Sequence, residues 1–216
     1  LVALVALLAC TTASAEPTLC RGDARLARLA GFYAHQTVIA HAHRTRSWPD
    51  TVAAAGTREP GIVVTHHDVL RVEGWHEQPS GGNCVTPEGA SVWLHVGKPK
   101  AKAMGPYLKI AGAEHTLASA YLTLIAGGCY TATDRSTWCI DSTGASVNGK
   151  PLAWKFELDL AELPEYGTSL VDRKAPNPLL VLAPTASGFD VYKDTWLSAA
   201  TRKPTGPGQS KAWLSL

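Results

Sequence analysis

"CYTATDRSTWC", residues 129–139, is the stretch whose reading decides the fold. Two cysteines enclose a pattern of strand, turn and strand. A turn centred on Asp134 sets Tyr130 opposite Trp138 and Cys129 opposite Cys139. Directly opposed residues of an antiparallel pair lie within the Cα separation that a disulfide needs, so the spacing predicts a hairpin closed by its own cross-link. With Cys10 set aside, Cys20 and Cys84 remain and pair by elimination. None of the four cysteines has the C-x-x-C spacing of a zinc site, which leaves disulfides as the reading for all of them.

Disulfides imply an oxidising compartment, and the first residues agree. Leu1 to Ala9 is an uncharged run of Leu, Val and Ala, too short to span a bilayer but the right length for the apolar part of a secretory signal. Ala13-Ser14-Ala15 before Glu16 has the small-residue form of a signal peptidase site. Leu7-Leu8-Ala9-Cys10 is a rival, in the form of a lipobox, with Cys10 acylated. The expectation is a signal peptide over 1–15, incomplete at its start, followed by one β-rich domain over 16–216. Localisation is then the periplasm, envelope or extracellular space, with membrane contact only if Cys10 carries lipid.

Outward from the hairpin, alternation dominates. Trp154, Phe156, Leu158 and Leu160 share one face, with Lys155, Glu157 and Asp159 on the other. Val92, Leu94 and Val96 oppose Ser91, Trp93 and His95 in the same way. Phe32 to His43 reads as a strand around Val38. Asn148-Gly149 is a strong hairpin signal, because a type I′ turn needs positive φ at both positions. Further strands are expected near 62–65, 67–75, 107–111, 120–126, 136–141, 179–183 and 188–196. A short helix is expected over Asp23 to Ala30, stopped by Gly31. The stretch EHTLASAYLTLIAGG also fits a helix capped by Gly127, but its run into the cysteine hairpin favours a strand for its second half. KPTGPGQS, residues 203–210, reads as a loop before a last short strand. The fold class is therefore mainly β, an antiparallel barrel or sandwich with a short N-terminal helix, stapled by two disulfides.

Charge narrows the function classes. Twenty Lys and Arg against 18 Asp and Glu give a formal net charge of +2, too little for nucleic-acid binding. Lys98, Lys100 and Lys102 read as a solvated loop or protected edge. No G-x-S-x-G elbow or H-E-x-x-H motif occurs, and Gly144 to Lys150 has Pro151 where a P-loop needs Ser or Thr. Arg21-Gly22-Asp23 is a chance tripeptide. No catalytic residue is assigned.

Two constellations remain. All eight histidines fall between His35 and His115. On a strand His35, His41 and His43 share a face, which would suit a zinc ion. Seven tryptophans spread along the chain, and Trp75 and Trp93 share strand faces with polar residues such as His95. Mixed aromatic and polar faces suit a small ligand, so Trp75, Trp93, His95 and Tyr33 are the candidate binding residues. The expectation is an exported, non-enzymatic β-protein without a cofactor that binds a small ligand or an envelope protein. The alternative is a histidine-based metal-binding protein or metal-dependent hydrolase centred on His41 and His43.

Overall fold

The computed structural model describes residues 16–56, 59–72, 79–141, 144–152, 154–156, 168–172, 179–193 and 214–216. The leader and Cys10, Trp75, the latter part of the Trp154 to Leu160 face and the 203–210 loop lie outside them.

The first half is a nearly closed antiparallel barrel. Its strands are β1 (Leu19–Cys20), β2 (Gly31–His35), β3 (Gly61–Val64), β4 (Val69–Val72), β5 (Cys84–Glu88), β6 (Ser91–His95) and β7 (Ala103–Ala111), in the order β1-β5-β6-β7-β2-β3-β4. The chain entering β5 returns to β4. Ser80 and Arg71 exchange backbone bonds of 2.9 and 2.8 Å, and the Asn83 amide donates to the Val69 carbonyl at 3.2 Å, so the sheet curls back toward its own edge. Alternate side chains fill the interior: Tyr33, Ile62, Val64, Val69, Val85, Val92, Leu94 and Tyr107 are all buried together. Each such aliphatic contributes about 1.5–3 kcal/mol of burial.

The short expected helix forms as α1 (Leu26–Leu29), with Leu26 buried in the barrel cluster. Its end is held from the barrel, because Tyr33 donates to the Leu29 carbonyl at 2.6 Å and Lys109 to the Ala30 carbonyl at 2.7 Å.

β2 serves two cores. Tyr33 faces the barrel, whereas Phe32 and Ala34 join a second cluster beneath the remaining helices. Those helices are α2 (Gln36–Thr45), α3 (Trp48–Ala55) and α4 (Leu117–Ala126). Here two sequence expectations fail. The strand expected from Phe32 to His43 stops at His35, because the His35 imidazole accepts from the Thr37 amide as a helix cap and Val38 and Ala42, four apart, bury one helical face. The strand expected over 120–126 is α4. Thr116 and Ser119 form a reciprocal capping box, Leu117, Tyr121 and Ile125 line one buried stripe, and the Gly127 amide closes the end on the Thr123 carbonyl at 2.8 Å.

Downstream, β8 (Gly128–Thr131), β9 (Thr137–Asp141), β10 (Gly144–Val147) and β11 (Lys150–Pro151) form a four-stranded meander. Cys129 pairs with Cys139 and Tyr130 with Trp138, the register expected from the sequence, and Asn148 (φ 49°) and Gly149 (φ 74°) make the expected turn. A five-stranded sheet follows: β12 (Trp154–Phe156), β13 (Thr168–Asp172), β14 (Leu179–Pro184), β15 (Phe189–Lys193) and β16 (Leu214–Ser215). Leu180, Leu182, Phe189 and Val191 bury against the helical cluster.

Both disulfides form, Cys20 with Cys84 and Cys129 with Cys139. They suggest an oxidising environment of the kind exported proteins meet. No helix among the described residues is long and apolar enough to cross a membrane.

Candidate functional site

The geometry for a strand-borne histidine pair is not there. His41 and His43 lie on α2, where residues two apart diverge by about 200° around the axis instead of sharing a face. His41 Nδ1 is engaged by the Arg44 guanidinium three residues on. His35, on the last position of β2, spends Nδ1 on the Thr37 hydroxyl at 2.8 Å and on the Thr37 amide. Among the described residues, which leave out His76, no group of three or more His, Cys, Asp or Glu side chains is arranged to hold a metal ion.

Tyr33 lies apart from Trp93 and His95, in the barrel interior. It is 4% exposed inside the barrel, with its hydroxyl on the Leu29 carbonyl, and burial pushes its phenol up to about 12.

Trp93 and His95 are brought together. On the outer face of β5 and β6 the register sets Thr86 opposite Trp93 and Cys84 opposite His95. Trp93, His95, Thr86, Glu88, Pro87, Ala103 and Glu16 line one cleft of about 430 Å³. The indole N–H of Trp93 is bound to the Glu88 carboxylate, which fixes the ring on the strand surface. His95 is sunk to 9% exposure at the end of β6. Its Nδ1 lies 2.8 Å from the Ala101 carbonyl oxygen, which can only accept, so Nδ1 carries a proton. Nε2 is 2.9 Å from the Thr86 hydroxyl, itself 2.8 Å from the Thr18 hydroxyl. A chain of hydrogen bonds thus runs from Thr18 through Thr86 and His95 to the backbone of the 96–102 loop and holds the cleft floor in one arrangement.

Local sequence explains the assembly. Gly89, with φ 59°, and Ala90 turn β5 into β6, so C-V-T-P-E and S-V-W-L-H pair with their odd and even residues matched. Thr86 and Glu88 were missed in the sequence because the pairing partner of Trp93 depends on that turn. The turn dipeptide Gly89-Ala90 was the available signal.

Further clefts lie among the described residues. One of about 400 Å³ adjoins the first, sharing Glu16 and Pro87, and carries Arg25 and Arg28. Arg25 is already bound to Asp23 through two nitrogens at 2.7 and 3.0 Å. Another, of about 440 Å³, lies by Phe32, Val63, His66 and His67.

No known protein family, curated protein or solved structure matches the chain.

Proposed function

We propose that this is a small-ligand-binding β-protein of an oxidising compartment outside the cytoplasm, and that the ligand sits in the Trp93 cleft. The observation that carries the reading is the tethered indole. Glu88 holds the Trp93 N–H, and a buried His95 holds the floor, so an aromatic surface stands in a preformed, mainly apolar recess. Preformed recesses with a few placed polar groups are what small ligands use, since little ordering entropy remains to be lost on binding. The two disulfides support the compartment.

Native mass spectrometry of the protein recovered from its own cells tests this. A stoichiometric organic adduct is expected on the chain, lost in Trp93→Ala while the mass deficit of both disulfides remains. A bare wild-type chain overturns the reading and favours a protein partner.

A further inference from the structure

We propose that the Trp93 cleft selects an organic cation, a substituted ammonium group carried on a small apolar body. The inference rests on the ligand-binding reading of the same cleft and adds the chemistry of the occupant.

Charge complementarity comes first. Among the described residues, the formally charged side chains lining the cleft are Glu16 and Glu88, both carboxylates. Arg25 and Arg28 line the neighbouring cleft, and Lys98, Lys100 and Lys102 lie on the adjoining loop without lining this one. Accepting a bond from the Trp93 N–H leaves the Glu88 carboxylate its negative charge.

Hydrogen-bonding capacity points the same way. An anion needs free donors, and the donors here are committed: the indole N–H to Glu88, His95 Nδ1 to Ala101, and the Thr86 hydroxyl to its contacts with His95 and Thr18. With its N–H edge occupied, Trp93 offers the cleft a π surface. Pro87 and Ala103 supply apolar wall. A primary ammonium would lose strong hydration here and regain few acceptors. A substituted ammonium sheds little hydration, keeps its charge for the carboxylates and lays methyl groups on the indole, the arrangement in which cation–π attraction is largest.

The test follows the Trp93 indole N–H signal by NMR on the full chain at about pH 8, where an ordinary imidazole is uncharged. Trp93→Phe assigns the signal. The probes are choline, dimethylbutanol as its neutral carbon isostere, and tert-butylacetate as an anion of matching shape. Choline is expected to shift the signal saturably and at least about tenfold more tightly than dimethylbutanol, with tert-butylacetate silent. Glu88→Gln keeps an acceptor for the indole and removes the charge, and is expected to weaken choline about fivefold while leaving dimethylbutanol unchanged. Equal binding of choline and dimethylbutanol, or a Glu88→Gln chain that binds choline as the wild type does, overturns the cation inference and leaves ligand binding standing. Silence from all three probes overturns the cation inference as well, and a bare chain in native mass spectrometry would then remove the binding reading with it.

Discussion

A Cβ on Gly61 would run into the Tyr121 hydroxyl and stand 2.7 Å from the Tyr33 carbonyl oxygen. Gly61 opens β3 opposite Ala34 of β2, and Tyr121 is the fully buried centre of α4, so this contact is where the helical cluster leans on the barrel. The Tyr121 hydroxyl has no hydrogen-bond partner among the described residues, and burial drives its ionisation upward. Gly61→Ala is therefore expected to cost about 2 kcal/mol through overpacking, read as a lowered urea midpoint. Tyr121→Phe removes an unsatisfied hydroxyl and is expected to be neutral or stabilising. Combining the two should recover part of the loss, because the deleted oxygen is one of the two atoms in the way.

His35 carries a pH dependence. Burial lowers its pKa from 6.5, and its Nδ1 accepts the Thr37 amide at 3.3 Å, which only an unprotonated nitrogen can do. As pH falls, the unfolded chain takes up the proton before the folded one. The cap's contribution is whole above about 6.5 and is lost as pH drops through the lower folded value. NMR titration of His35 should give a midpoint below 6.5. His35→Asn keeps an acceptor at the cap and should flatten the stability profile over that window, whereas His35→Ala should cost about 1 kcal/mol at neutral pH.

Why the sequence revealed the hairpins and the short helix α1 but not α2 follows from which forces act locally. Cys129 with Cys139 and Asn148 with Gly149 are fixed by contacts within a few residues, and both registers were legible. Val38 and Ala42 serve equally as an alternating pair or as one helical turn. What separates the two readings is a histidine cap at His35 and a buried face against Phe32 and Ala34, neither visible in periodicity. The histidine cluster failed with that assignment, since sharing a face at spacing two is a property of strands alone. Trp93 and His95 do share a face because β6 alternates, and Thr86 and Glu88 join them through the pairing of β5.

Asp23 has a carboxylate held well below its usual range. Arg25 donates to it from two side-chain nitrogens and from its backbone amide at 2.9 Å, and these bonds bring the pKa from 3.8 to about 2. Whatever the pair contributes is whole above 3.8 and vanishes as pH falls through about 2. A carbon NMR titration of the Asp23 carboxyl is expected to show the low midpoint, and Arg25→Gln should return it toward 3.8. A midpoint that ignores Arg25→Gln would place the cause elsewhere.

The two disulfides should separate under reduction. Cys129 is exposed on β8, at the edge of its sheet, whereas Cys84 is 2% exposed between β1 and β6. A thiolate must reach sulfur to open the bond, so mild dithiothreitol is expected to cleave Cys129–Cys139 first, as shown by alkylation and peptide mapping. Their worth to folding runs in the opposite order. The separations are 64 residues for Cys20–Cys84 and 10 for Cys129–Cys139, and chain-entropy arguments assign about 4 and about 3 kcal/mol respectively. Replacing Cys20 and Cys84 by alanine should lower the unfolding midpoint more than replacing Cys129 and Cys139. It should also loosen the Trp93 cleft, because Cys84 sits opposite His95 and its bond to Cys20 anchors the strand that follows Thr18. Opening the hairpin bond alone should leave that cleft as it is, and the Trp93 indole signal reports the difference.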